Sequence, residues 1–504
     1  MKILFSMRHS GALRNFASTV EELARRGHQI HLAFMRPDKL GDRRLLQELT
    51  AAHAGITYAE LLEKAPRRPW LGLARTVRSL ADYLRYFTPE YRDAPALRDR
   101  AARHVSPSAR RFVMQGLVRT RAGLAILRQL LRVVERAIPA DPWVAGLVAQ
   151  QAPDVVLVTP LVDLASDQVE YVKAARALGV QSGVCVHSWD NLTNKGLIHA
   201  LPTRVFVWND AQRREAVGMH GVPAAHVVVT GAPAYDQWFT RRPSTTREEF
   251  CGKVGLPPER PYFLYLCSSQ FIAPHEADFV KRWILAVRSA VDPRVREAGI
   301  LVRPHPRTDM ARWKRFDMTS LPNVVLWPAE GTNPVDTGSK NDYFDSLHHA
   351  AAAVGINTSA QIEAGIVGRQ VYSVRAPEYA ATQEGTLHFH YLLTEHGGLL
   401  HMANTLDEHT RALAGALDGR EEDERRVRGF VEGFVRPGGL DLPATPLLAD
   451  AIEVLGRSPA QVPERASLWL RLVRRSLYPV AIRMKAERRL ARAVREEAGV
   501  GALR

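Results

Sequence analysis

The chain has 504 residues, 46% of them hydrophobic, with a formal net charge of +15. That length exceeds one ordinary core and implies two domains with additions, and the composition is that of a globular chain rather than a disordered one. No window approaches the roughly 18 uninterrupted apolar residues of a membrane span, and the cationic excess favours an anionic partner: nucleic acid, an anionic membrane face or a phosphorylated substrate.

Lys2 to Met7 reads as a buried strand, too short for the apolar region of a signal peptide. The polar turn Arg8-His9-Ser10-Gly11 follows. An amphipathic helix from about Leu13 to Arg26 is closed by Gly27, and His28 to Phe34 is the next strand. This βαβ unit puts its first turn where a doubly wound sheet binds its ligand. It lacks GxGxxG, so a dinucleotide fingerprint is not supported.

From about residue 66 to 137 the pattern is helical, rich in Arg and poor in acids, with Trp70, Tyr83, Tyr86, Phe87 and Tyr91 interleaved. Amphipathic helices on a solvated face fit it, and so does a basic apolar surface resting on anionic lipid. No zinc-finger, helix-turn-helix or RNP pattern supports nucleic acid, so none is expected as a partner.

Regular α/β order resumes at Asp154, with a strand from Val155, a helix from about Ser166 to Leu178 and a strand from Val180 to Val186. The loop His187 to Gly196 then sets a His, a Trp, an Asp, two Asn and a Lys just past a strand end. A plain loop would use Gly, Ser and Pro, and loops on a rigid scaffold carry function. His187, Trp189, Asn191 and Lys195, with Gly11 of the first turn, are therefore the expected ligand contacts of this half. The polar run Arg241 to Thr246 marks a domain boundary. Cys185, Cys251 and Cys267 lack metal-ligand spacing and read as core residues of a reducing compartment.

The second half restarts the pattern. A strand from Pro261 to Leu266 ends at Cys267-Ser268-Ser269-Gln270, and one from Gly299 runs into Arg303-Pro304-His305. Asn341 to Asp345 reads as an acidic helix start. Ala353 to Val374 is a strand–helix–strand crossover, with Thr358 and Gln361 at capping-box spacing. The free N–H groups of Thr358 and Ser359 at that helix start suit a phosphate. Glu363, one turn on, either meets the sugar hydroxyls of a nucleotide or is simply solvated. His388, His390 and His396 match no standard zinc spacing, so no metal is expected. The tail from Pro463 to Arg504 is a basic amphipathic helix that lies on a membrane or packs on its own protein.

Four stretches, in this order, resemble the GT-B glycosyltransferase superfamily: KILFSMRHSGALRNFASTVEELARRGHQIHLAF, VFVWNDAQRREAVGMHGVPAAHVVVTGAPAYD, RPHP and SAQIEAGIVGRQV. The branch they are most similar to holds the UDP-glycosyltransferases, the UDP-N-acetylglucosamine 2-epimerases and the CDP-glycerol glycerophosphotransferases. The likeness covers about Met1 to Arg36 and Val155 to Leu455. It implies two Rossmann-like domains, an acceptor domain over 1–240 and a nucleotide-donor domain over 241–455, with a basic helical tail over 456–504.

The resemblance further implies a metal-independent transferase that needs no cofactor beyond its nucleotide-activated sugar donor. Its acceptor would be a glycan or lipid-linked molecule, and its place the cytoplasm, at the membrane's inner face. His9 takes the place of the general base, a role suited to a neutral imidazole. Asp190 orients that base or replaces it. Arg303 and His305 would neutralise the leaving diphosphate, Ser268, Ser269, Thr358 and Ser359 would donate to its oxygens, and Glu363 would hold the ribose. The early Gly-Thr-Arg-Pro-Glu signature of the epimerases is missing, which disfavours epimerisation. The antibiotic-type transferases have no counterpart of the long basic insertion. A non-catalytic glycan- or lipid-binding protein on the same fold is the third reading.

Overall fold

The computed structural model describes residues 1–36, 43–60, 68–306, 313, 321–329, 331, 334–419 and 421–501. Two compact units result. One comprises Met1–Pro89, Leu97–Pro233 and Thr445–Arg504, the other Glu90–Ala96 and Ala234–Ala444.

The first unit is built on β1 (Lys2–Met7), β2 (Gln29–Phe34), β3 (Ile56–Glu60), β4 (Val155–Thr159), β5 (Gln181–Cys185), β6 (Arg204–Val207) and β7 (Val227–Val229). They form a parallel sheet in the order β3-β2-β1-β4-β5-β6-β7. β1 and β4 are apolar almost throughout because helices cover both faces of a parallel sheet. One face buries Leu4, Val156 and Val158 with Tyr171 and Val172. The other buries Ile3, Phe5 and Leu157 with Phe16 and Val20.

The segment after β1 differs from the single helix expected there. Ser10–Asn15 winds as a 3-10 turn, and the α-helix begins at Ala17. Phe16 interrupts the two at φ −132°, with its buried ring edge-on to Phe5 at 5.4 Å.

Two of the expected boundaries are corrected. The first unit's sheet-bearing segment ends at Pro233, ahead of the polar run at Arg241. The chain then returns to that unit from Thr445, so residues 445–455 leave the donor domain expected to hold them. The helix Ala444–Arg457 carries an apolar stripe, and Leu448, Ala449, Ile452 and Leu455 bury it against Ile3, Phe5 and Val155. Glu453 adds a hydrogen bond to His28 at 2.8 Å.

The basic insertion folds as helices, including Leu71–Arg85 and Arg121–Ala137, and the tail helix Leu468–Gly501 packs on both. Leu71–Arg85 is no solvated face. Arg78 is fully buried, donating to Glu135, Glu170 and the Ser166 carbonyl, and Lys173 bonds Glu135 at 3.1 Å. Burial by itself would raise the Glu135 pKa, but the charges of Arg78 and Lys173 hold it down at about 2.

The second unit holds β8 (Tyr262–Leu266), β9 (Gly299–Arg303), β10 (Val324–Leu326), β11 (Ala352–Val354), β12 (Val371–Val374) and β13 (Leu400–Ala403). Their parallel order is β10-β9-β8-β11-β12-β13. The core on one face gathers Tyr265, Trp283, Val302 and Tyr372. The helix expected to start at Asn341 starts a turn earlier, at Thr337, because Asp336 caps it through the Ser339 N–H at 2.8 Å. Asp345 is thus an interior residue. It accepts from the Ser244 N–H and from the Ser244 and Thr245 hydroxyls, which pins the polar run expected to mark a domain boundary.

Candidate functional site

Open α/β sheets bind ligands beyond the carboxyl ends of their strands, where the strand order reverses. In the second unit the reversal falls between β8 and β11. The loops leaving these strands touch there: the Ser268 hydroxyl accepts the Asn357 N–H at 3.2 Å. Gly355 permits that approach, since a Cβ on it would stand 2.7 Å from the Leu266 carbonyl oxygen. The Ser268 N–H donates to Glu276 at 2.7 Å, and the Tyr265 hydroxyl bonds the same carboxyl at 3.2 Å. Burial raises the Glu276 pKa to about 8 against the pull of those bonds, so this carboxyl is mostly neutral at pH 7. A neutral group there suits an anionic ligand; a carboxylate would repel it.

Ser268 was expected to hold phosphate. The structure encloses it and turns it to joining these loops. Ser269 is half-buried, Ser359 is exposed and Thr358 is half-buried. Gln361 reaches back to the Thr358 N–H at 3.1 Å, one half of the expected capping box. The Thr358 hydroxyl accepts instead from Ala360 at 3.4 Å. The helix they open, Ala360–Ile366, has only seven residues.

Arg303 ends β9, paired with Leu266 of β8. It is 8% exposed, and its Nη1 has no hydrogen-bond partner among the described residues. Its guanidinium lies 4.5 Å from the Tyr343 ring centroid and 5.7 Å from that of Trp327. Tyr343 in turn donates its hydroxyl to Glu363. Burial lowers the Arg303 pKa, opposed by Tyr343, Glu363 and Asp342, and burial beside the Glu363 charge pushes Tyr343 well up. Arg303, Tyr343 and Glu363 form one chain of contacts. Tyr343 and Trp327 had no signal in the sequence beyond being aromatic; only the packing brings them to Arg303. His305 follows, half-buried.

In the first unit the strand order reverses between β1 and β4. His9 leaves the end of β1 in extended conformation, half-buried, and its carbonyl accepts the Ala12 N–H at 3.0 Å. Gly11 lies in the 3-10 turn that follows. Thr159 ends β4, and its hydroxyl meets the His187 Nδ1 at 3.2 Å. Burial, then the cation of Lys195, lowers the His187 pKa to about 3, with Arg14 and His9 adding and Asp190 opposing. His187 is therefore neutral and a weak base at pH 7. Asp190 accepts the Ser188 hydroxyl at 2.5 Å.

The loop is more ordered than its sequence implied. Asn191–Asn194 is a short helix, and Asn191 is buried with its side-chain oxygen on the His187 N–H at 3.2 Å. Trp189 is buried as well, and Lys195 is half-buried. The insertion supplies the clamps. Arg85 donates to the carbonyls of Leu192, Lys195 and Gly196, Tyr86 to Lys195 at 2.7 Å, and Arg100 to Asn194. Asp82 accepts the N–H groups of Ala165 and Leu197 at 2.8 and 2.7 Å and bonds His199 at 2.9 Å. Gly196 lies so close that a Cβ would stand 2.8 Å from Asp82. Sequence reasoning missed these residues because an Arg-rich helix looks the same whether its cations face water or carbonyls.

In the histidine stretch, His388 is buried and His390 bonds the Glu384 carbonyl at 2.7 Å. No three His, Cys, Asp or Glu side chains converge in a metal-binding group among the described residues.

Two parallel Rossmann-like sheets, each with its polar residues beyond the carboxyl strand ends, define the GT-B fold. Solved structures with this arrangement match nearly the whole chain. A glycosyltransferase from Rickettsia africae has a TM-score of 0.51 at 10% identity, over 91% of this chain and 99% of its own. UDP-GlcNAc 2-epimerase from Neisseria meningitidis, solved with UDP-GlcNAc, has 0.50 at 11%, over 90% and 100%. S. aureus MnaA, solved with UDP, has 0.51 at 12%, over 92% and 100%. At such identities the likeness is one of fold. No protein-family model matches the sequence, and neither does any curated protein.

Proposed function

We propose that the protein is a glycosyltransferase that moves a sugar, or a sugar-like phosphate group, from a nucleotide-activated donor to a glycan or lipid-linked acceptor at the cytoplasmic face of a membrane. Arg303 is the observation that carries the donor half. A guanidinium this buried needs an anion, and the described residues give its Nη1 none. A nucleoside diphosphate beyond β8 and β9 would supply that anion, and the charge it gains on leaving is what a fixed cation stabilises. His305 would share that charge. Ser269, Thr358 and Ser359 would donate to the phosphate oxygens, and Glu363, aimed by Tyr343, would hold the ribose.

His9 or Asp190 would take the acceptor proton, since His187 is too weak a base. Gly11, His187 and Lys195 would line the acceptor path, with Trp189 and Asn191 holding the loop. For a sugar, the sugar–phosphate bond breaks as the acceptor oxygen attacks, the proton goes to the base and the nucleotide leaves as its diphosphate. For a sugar-like phosphate group, the acceptor oxygen attacks phosphorus, the bond between the two phosphates breaks and the nucleotide leaves as its monophosphate. No metal or further cofactor is assigned to this step. Epimerisation of a nucleotide sugar is the rival on the same fold. It differs in needing no acceptor, so an epimerised product from donor alone would favour it.

The test is a thermal-shift panel of UDP, GDP, CDP, CMP, dTDP and ADP on the wild type, Arg303→Met and Glu363→Ala. A ligand that binds only the native state stabilises it by about 2.7 kcal/mol at roughly 100-fold its Kd. One nucleotide should raise the wild-type melting temperature and neither variant's. Equal shifts in all three proteins would remove Arg303 from the donor site. Full turnover in both His9→Ala and Asp190→Ala would remove the assigned base.

A further inference from the structure

Packed on the insertion, the tail helix Leu468–Gly501 leaves a second face uncovered between Leu468 and Arg483. Leu470 and Ala481 are buried, Tyr478 meets the Trp70 ring at 5.8 Å, and Arg474 donates to the Ala137 carbonyl at 2.9 Å. These contacts seat one side of the helix on the first unit. The other side shows Leu468 at 75% exposure, Leu472 at 68% and Trp469 at 49%, with Val480 and Ile482 also exposed and Tyr478 half in solvent at the border of the two sides. Arg471, Arg475 and Arg483 are exposed among them. No Asp or Glu occurs between Glu464 and Glu487.

The neighbouring helix Arg121–Ala137 repeats the pattern. Ile126 is 62% exposed, Leu130 is exposed too, and Arg121, Arg132 and Arg136 stand in solvent around them. Its acid, Glu135, is buried and neutralised by Arg78 and Lys173. From Arg100 to Val134 the sequence has no Asp or Glu at all. Exposed apolar side chains in this number mark a contact surface. Arginines without acids among them select a negatively charged occupant. A Trp and a Tyr amid aliphatic and cationic side chains match a bilayer interface, where aromatic rings lie at headgroup depth and arginine stems reach for phosphate.

We infer that the exposed faces of the tail helix and of Arg121–Ala137 form a docking surface for an anionic lipid bilayer. The apolar side chains enter the acyl boundary while the arginines meet the headgroups. The surface belongs to the first unit alone and is independent of the nucleotide reading of the second, so either can fail without the other.

The experiment is co-sedimentation of the full chain with phosphatidylcholine vesicles, with and without about one-third phosphatidylglycerol, at low and high salt. The wild type should pellet with the anionic vesicles at low salt and be released by salt. The double variant Arg471→Ala, Arg475→Ala should bind them roughly 30-fold more weakly, from about 1 kcal/mol per arginine near an anionic surface. The double variant Leu472→Ala, Trp469→Ala should also lose binding, and the total tryptophan emission of the wild type should shift to the blue on binding. All four positions have exposed or half-exposed side chains, so both variants should keep the wild-type melting temperature. Equal binding to neutral and anionic vesicles, or none to either, would overturn the inference. Concentration-dependent dimers abolished by the same substitutions would assign the face to a second copy of the chain.

Discussion

Glu276 gives the sharpest test of the geometry around β8. Its folded-state pKa is about 8 against a reference value of 4.5, with burial as the main cause. The native state therefore holds a proton that the unfolded chain releases. For an acid raised in this way, the stabilising contribution is complete below pH 4.5 and disappears as pH climbs through 8. Each pH unit in that window removes about 1.4 kcal/mol, so this one group should withdraw roughly 3 kcal/mol between about pH 5 and about pH 7.5. Glu276→Gln keeps the shape and a carbonyl for the Ser268 N–H, and it does not titrate. The assay compares urea or thermal unfolding of wild type and variant at both pH values, so that every other titrating group cancels. The variant should gain on the wild type by about 3 kcal/mol on going to the higher pH. A constant difference between the two proteins would refute the reasoning, because it would mean the carboxyl is already ionised in the folded state.

Asp82→Ala strips the acceptor from two backbone N–H groups and His199, and at about 1–3 kcal/mol per stranded donor it should cost roughly 3–5 kcal/mol. Limited proteolysis should then cut within residues 187–199 of the variant; a wild-type digestion pattern would show that the insertion does not hold this loop. Gly355→Ala should destabilise the second unit by about 1–3 kcal/mol, since the added Cβ would stand 2.7 Å from a backbone oxygen rather than from the end of a flexible side chain. Unchanged unfolding would count against the close approach of the two loops. Glu135, lowered to about 2, is the opposite case to Glu276: its contribution is present above pH 4.5 and is lost as pH falls toward 2. Glu135→Gln should therefore lower the melting temperature at neutral pH and flatten its fall across that acid window, and an unaltered acid limb would contradict the buried pairing with Arg78.

The alternation of strands and helices was legible from the chain because parallel strands covered on both faces are almost wholly apolar and end at polar turns, as Val155 to Thr159 shows. The strand-end positions of Arg303 and His9 were legible for a related reason. Arg303 directly follows an apolar run and His9 comes one residue after such a run ends, and the carboxyl end of a parallel strand is a ligand edge whatever the rest of the fold does. Three-dimensional packing decided the rest. Whether Arg78, Asp82 and Arg85 face water or carbonyls depends on which loop lies against their helix, and helical periodicity carries no such information. The return of Leu448 and Ile452 to the first sheet is a long-range choice among equally apolar partners. Ser268 and Ser269 are chemically identical, and only the passage of Asn357 and Glu276 beside Ser268 encloses one and leaves the other half-open. The tail's sequence offered membrane or protein as alternatives for one helix, and the structure packs one face of it on the first unit and leaves another open: Leu470 and Ala481 lie inside, while Leu472 and Arg475 stand in solvent.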